Sequence, residues 1–115
     1  MKNNDLLDRT FYFGISCLKF LRTLPNDNEY RLIRYQLGKS STSLGANYEE
    51  SQAGSSKADF KNKVKISLRE TRESNYWLRI IKALDEIKDP ELDRLLRESL
   101  ELKNIFGAIV NNTKL

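Results

Sequence analysis

The chain has 115 residues, a formal charge of +4, 39% hydrophobic and 31% charged side chains, one cysteine and no histidine. That length fits one domain, 1–115, with a single modest core, and five glycines with two prolines argue against a many-turned β-sandwich. The lone cysteine excludes an internal disulfide and a thiolate metal cluster, and the missing histidine removes the commonest transition-metal ligand and general base.

Helix 1 is expected over about 5–24. Leu7, Phe11, Gly14, Leu18 and Leu21 alternate spacings of four and three, the period of a bundle seam. Leu6, Phe13, Cys17 and Phe20 widen the apolar arc beyond that seam. Pro25 stops the helix, and Asn26, Asp27 and Asn28 supply the turn and the N-cap of the next one.

Helix 2 is expected over about 28–53. Tyr30, Ile33, Leu37, Leu44 and Tyr48 fall on one face, with Ser40 and Ser51 between them. Gly38, Ser41, Thr42 and Gly45 make a second strip of small residues. A glycine inside a helix costs about 1 kcal/mol relative to alanine, so two of them point to a close backbone contact. Gly54 suits the left-handed position that ends a helix, and Ser56 with Asp59 resembles a capping box. Helices 2 and 3 should therefore form a tight antiparallel hairpin.

Helix 3 is expected over about 57–87, with Phe60, Val64, Ser67, Thr71, Trp77, Leu78 and Ile81 sharing one broad face. Asp89 and Pro90 open helix 4, expected over about 90–111, which turns Leu92, Leu95, Leu96, Ser99, Leu102, Phe106 and Ile109 inward. Short connections throughout predict an all-α, up-down-up-down left-handed four-helix bundle. Each helix has an apolar arc that is broad for a lone bundle of this size, which predicts a homo-oligomer. No apolar stretch nears the roughly 18 residues of a membrane span. The N-terminal MKNNDLLDRTFYF lacks the basic start and apolar run of a signal peptide, so a cytoplasmic location without membrane contact is expected.

Charge is uneven along the chain. Residues 55–88 carry nine basic and five acidic side chains and so account for the whole net excess. Lys57, Lys61, Lys65, Arg69, Arg72, Arg79 and Lys82 fall within an arc of roughly 140° on the outer side of helix 3. Such a stripe can follow a phosphate backbone, or it can simply be a solvated face. Glu86 interrupts it, and Tyr76 on its flank is the one aromatic nearby, so no stacking platform for single strands is evident.

Carboxylates form a second candidate cluster. Asn47 and Glu50 project from one edge of the core face of helix 2. On helix 3, Glu70 falls in the apolar arc among Ile66, Trp77 and Ile81, Glu73 stands at its border, and Lys63 points the same way. A di-iron bundle needs a Glu-x-x-His on two helices, which this chain cannot supply. Metal-assisted hydrolysis at Glu50, Glu70 and Glu73 would need a hard-metal site with no recognisable loop. Asn47, Glu50, Glu70 and Glu73 therefore read as a structural polar network or an inter-subunit ion pair that fixes helix register. No catalytic, cofactor-binding or metal-ligating residue is assigned. Cys17 reads as a small core residue, and Trp77 and Tyr76 as packing residues.

Ser43-Leu44-Gly45-Ala46-Asn47-Tyr48-Glu49-Glu50, then Ser55-Ser56-Lys57, Asp59-Phe60, Ser67-Leu68, Glu70-Thr71-Arg72-Glu73 and Tyr76-Trp77-Leu78, resemble the small helical bundles called 23S rRNA intervening sequence proteins. The match spans about residues 30 to 81. The resemblance implies a left-handed four-helix bundle that can assemble into a ring-like homopentamer. The segment is also similar to a related bundle that accompanies reverse transcriptase in diversity-generating retroelements, where a basic surface engages nucleic acid. The resemblance carries no catalytic residues, and it implies a structural role for Asn47, Glu50, Glu70 and Glu73. The family commonly has Ile-Ala-Glu-Gly after the asparagine, where this chain has Tyr48-Glu49-Glu50-Ser51, a change expected to lengthen helix 2 or move the hairpin loop to Gly54. The expected function is a non-enzymatic oligomer that binds RNA or DNA electrostatically, beside a larger nucleic-acid enzyme or ribonucleoprotein. The alternative is a protein-interaction scaffold with no nucleic-acid role.

Overall fold

The structure, a computed structural model, describes residues 5–54, 56–85 and 88–115. Those residues form α1 (Asp5–Leu21), α2 (Asn28–Gln52), α3 (Lys57–Asp85) and α4 (Pro90–Asn112), with no strand among them. The all-α bundle expected from periodicity is the observed architecture, with overall extents of 45 × 25 × 20 Å. Each helix lies antiparallel to the next: Ser40 meets Ser74 while Leu44 meets Ser67, and Asn75 meets Ser99 while Lys82 meets Asp93. α1 lies chiefly against α2 and touches α4 more lightly.

Local chemistry sets the helix ends. Asp27 caps α2 by accepting the Tyr30 N–H at 3.0 Å, and Asp89 caps α4 by accepting the Glu91 N–H at 2.9 Å, with Pro90 just inside. Ser56 Oγ accepts the Asp59 N–H at 3.1 Å at the start of α3. α1 stops at Leu21, short of its expected end near residue 24, because the chain tightens first. The N–H groups of Arg22, Thr23 and Leu24 donate three residues back to Lys19, Phe20 and Leu21, at 3.2, 3.0 and 3.3 Å. Gly54 is not the left-handed cap that was expected. The end of α2 tightens in the same way, with Ala53 and Gly54 N–H groups donating to Glu50 and Ser51, so no left-handed residue is needed. The expected end of α3 at Ile87, and Glu86 before it, lie outside the described residues.

The core gathers Leu6, Phe13, Cys17 and Phe20 of α1 with Tyr30, Ile33, Leu37 and Leu44 of α2, Val64, Leu78 and Ile81 of α3, and Leu92, Leu95, Leu102 and Phe106 of α4. On α1 this corrects the expected seam. Phe11 and Leu18, read as inward, are 53% and 42% exposed. The reason lies in the α1–α2 contact. A Cβ on Gly14 would sit 3.1 Å from the Ser41 carbonyl oxygen, and one on Gly45 would sit 3.2 Å from the Thr10 carbonyl oxygen. Turning Gly14 and Thr10 onto α2 carries Phe11 and Leu18 round to the surface. Gly45 is thus the close backbone contact expected of the small-residue strip, whereas Gly38 meets only side chains of Leu18 and Leu21 at ordinary distance.

The α2–α3 contact is also made by small residues. Ser40 and Ser74 share a hydrogen bond with their Oγ atoms 2.8 Å apart, and the Ser67 hydroxyl donates to the Leu44 carbonyl at 2.8 Å. All three serines are buried, and each hydroxyl has a partner, as burial requires. Trp77, expected in the core face, is only half-buried, on the flank of α3. Its indole Nε1 is the one buried side-chain nitrogen or oxygen among the described residues that lacks a hydrogen-bond partner.

Candidate nucleic-acid interface

α3 packs against α2 on one side and α4 on the other, and a single line of its residues is left facing away from both. The central part of that line is Lys65, Arg69, Arg72, Tyr76 and Arg79, all exposed, with successive spacings of four, three, four and three, and Asn62 and Ala83 continue it at either end. At the rise of an α-helix the central part extends about 21 Å. The expected stripe of seven cations therefore divides. Lys82 leans toward α4 and forms an ion pair with Asp93. Lys61 is half-buried, and Lys57 is exposed in the first turn. Lys57, Lys61, Lys65 and Arg72 make no ion pair or side-chain hydrogen bond with the described residues. Arg69 reaches Glu70 only at 3.8 Å, and its side chain is largely in solvent. Lys65 and Arg69 border a shallow depression with Asp59, Asn62, Lys63 and Ile66.

Tyr76 stands inside the line and not on its flank. The heptad spacing of the outer residues could have shown this, since Tyr76 follows Arg72 by four positions. Its ring meets Trp77 edge-on with centroids 5.3 Å apart, and the Arg79 guanidinium carbon lies 5.7 Å from its centroid. Arg79 is itself held from behind. Its Nε donates to Asn75 Oδ1 at 2.9 Å, Asn75 Nδ2 donates to Ser99 Oγ at 2.9 Å, and Ser99 Oγ donates to the Leu96 carbonyl at 2.8 Å. Asn75 was not singled out from sequence, because its role depends on a residue 24 positions away on α4.

Among the described residues no hydrogen bond or ion pair joins the four residues of the expected polar network to one another. Asn47 Nδ2 donates to the Ser43 carbonyl and hydroxyl on its own helix, at 2.9 and 3.1 Å, and Glu50 is exposed. No hydrogen bond or ion pair among the described residues links either of them to Glu70 or Glu73. The inward polar links are made instead by Ser40, Ser67 and Ser74, whose short side chains fit a close helix contact where a glutamate does not. The Glu70 side chain is 16% exposed. Burial first, and Glu73 second, hold its carboxyl above the usual carboxylate range, opposed by Arg69 and Lys39. Among the described residues no group of three acidic or cysteine side chains is placed to hold a metal ion. Burial also pushes the Cys17 thiol up to about 12, so it is an inert core group.

A second surface feature lies between α1 and α2. Phe11, Ile15 and Leu18 on one side, with Thr42 and Ala46 on the other, line an apolar groove floored by Gly14 and Gly45. No helix among the described residues is long and apolar enough to cross a membrane.

The bundle is similar to a crystal structure of a protein of unknown function from the S23 ribosomal protein family of Bacteroides thetaiotaomicron VPI-5482. The TM-score is 0.84 at 27% sequence identity, and the match covers 93% of this chain and 99% of the other. No curated protein matches the chain. The model of the 23S rRNA-intervening sequence proteins matches residues 2–108, nearly the whole of the bundle described above, and the chain belongs to that family.

Proposed function

We propose that this chain is a non-enzymatic, cytoplasmic bundle that self-associates and binds RNA or DNA electrostatically through α3. The observation that carries this reading is the outer line of α3, where Lys65 and Arg72 stand exposed without a counter-ion among the described residues. Unpaired cations repeated every one or two helical turns suit a polyanion, which gains from each contact by releasing counter-ions. Lys57, Lys61, Arg69 and Arg79 extend the same surface, and Lys82 contributes at the cost of its bond to Asp93. A larger nucleic-acid enzyme or ribonucleoprotein is the natural setting for such a weakly sequence-selective module.

Self-association is supported by the α1–α2 groove, where Phe11 and Leu18 keep a heptad spacing yet stay 53% and 42% exposed. A homopentamer is the stoichiometry the family resemblance suggests. Filter binding at graded salt tests the nucleic-acid part, with retention expected at low ionic strength and lost steeply as salt rises. No retention of RNA or DNA at any salt concentration would sink it. Sedimentation tests the assembly, and a stable monomer at micromolar concentration would refute it.

The same exposed groove also favours a second reading, a protein-interaction scaffold whose basic line is merely solvated. A host partner that stays bound after nuclease treatment, together with no retention of nucleic acid, would establish the scaffold in place of the first reading.

A further inference from the structure

Arg79 differs from the unpaired cations on the outer face of α3. Lys57, Lys65 and Arg72 are exposed without a side-chain partner among the described residues, whereas Arg79 is tied through Asn75 and Ser99 to the backbone of α4. Asn75 is only 9% exposed, so this tether is anchored inside the protein. It engages Nε and leaves both terminal nitrogens of the guanidinium without a protein partner among the described residues. Tyr76 keeps 47% of its surface exposed even with Arg79 over its ring and Trp77 in a T-shaped contact with it. An ordered guanidinium beside an ordered, open aromatic ring loses little conformational freedom when a ligand arrives.

Resting on the nucleic-acid reading above, we infer that Tyr76 and Arg79 form a seat for one unpaired nucleotide, which makes single-stranded nucleic acid the preferred form. The base stacks on the open part of the Tyr76–Arg79 pair, and a neighbouring phosphate takes the free edge of the guanidinium, the side of Arg that binds phosphate in a fork. Arg72 and Arg69, one and two turns back along the same line, continue the phosphate contacts. A duplex offers phosphates to this line but keeps its base faces stacked away, so it forfeits the Tyr76 contact. The site reads no base edge, so preference among bases should be slight.

The test compares three labelled ligands of about ten nucleotides at low salt: a thymidine strand, an abasic strand of the same length, and a duplex. Each is titrated by fluorescence anisotropy against the wild-type chain, Tyr76→Ala and Tyr76→Phe, after thermal melts show that the variants fold. The wild-type chain should bind the thymidine strand about tenfold more tightly than the abasic strand. Tyr76→Ala should lose that advantage and leave abasic and duplex binding unchanged, and Tyr76→Phe should retain it. Equal wild-type affinity for thymidine and abasic strands, or an unaffected Tyr76→Ala, would overturn the stacking seat while leaving electrostatic binding in place. No binding of any of the three ligands would overturn the nucleic-acid reading beneath it.

Discussion

Two lines on α3 share a period and differ in everything else. The inner line is Phe60, Val64, Ser67, Thr71, Ser74, Leu78 and Ile81, and the outer one is Lys65, Arg69, Arg72, Tyr76 and Arg79. Along the inner line each hydroxyl is satisfied: Ser74 by Ser40, Ser67 by the Leu44 carbonyl, and Thr71 by the Ser67 carbonyl. Its small side chains set how closely α2 approaches, so their size is constrained within a methyl group or so. Along the outer line Lys65 and Arg72 have no hydrogen-bond or ion-pair partner among the described residues. These cations add net charge without fastening the fold, which leaves their identity open to selection by a ligand. The contrast separates residues that position the bundle from residues that can act.

The largest test of that separation enlarges a close contact. Gly45→Val puts side-chain atoms where the Thr10 backbone already sits at van der Waals limits, and is expected to destabilise by about 2–3 kcal/mol. A fall in urea midpoint with unchanged slope would show it; a neutral outcome would mean that α1 can shift freely on α2. Next comes the serine pair. Ser74→Ala leaves the Ser40 hydroxyl with only its long 3.4 Å contact to the Leu37 carbonyl, at a cost of about 1 kcal/mol. The double variant Ser40→Ala/Ser74→Ala should cost less than the two single changes added together, and strict additivity would show that the bond contributes nothing.

Glu70 lies between the two lines and should respond weakly, with a definite sign. Its folded pKa is raised above the ordinary value of 4.5, so the folded state holds the proton more tightly than the unfolded chain does. The stability from this group is therefore fully present below pH 4.5 and is lost as pH rises through the folded value. Glu70→Gln should raise Tm at pH 7 by more than it does at pH 4. The smallest expected effect on folding is on the outer line. Lys65→Ala and Arg72→Ala should each change stability by less than about 0.5 kcal/mol. Each should also lower the slope of log affinity against log salt by about 0.7–0.9. A large loss of stability in either would erase the distinction between packing and acting residues.

Much of the bundle was legible in the chain. Asp27, Ser56 and Asp89 act as caps through chemistry confined to three or four neighbouring residues, and the core faces of α2 and α4 follow from a single apolar period. α1 was harder because two apolar lines run along it, and periodicity cannot rank one above the other. The outcome turned on Gly14 and Thr10 fitting against a strip on α2 that no local pattern connects to them. The candidate site divided in the same way. Its cations could be counted along helix 3, but the tether of Arg79 and the pairing of Lys82 both depend on α4.

By itself, then, the amino-acid order determined four amphipathic helices, their punctuation and the excess of positive charge on the third. These follow from the helical period and nearest-neighbour capping, which need no knowledge of the rest of the molecule. Tertiary structure alone decided which apolar line of α1 is buried, which cations stay unpaired, and that Arg79 is held beside an open Tyr76. Those outcomes depend on the rotation of each helix about its own axis. That rotation is set where backbones meet at Gly14, Gly45 and the buried serines, between segments far apart in the chain.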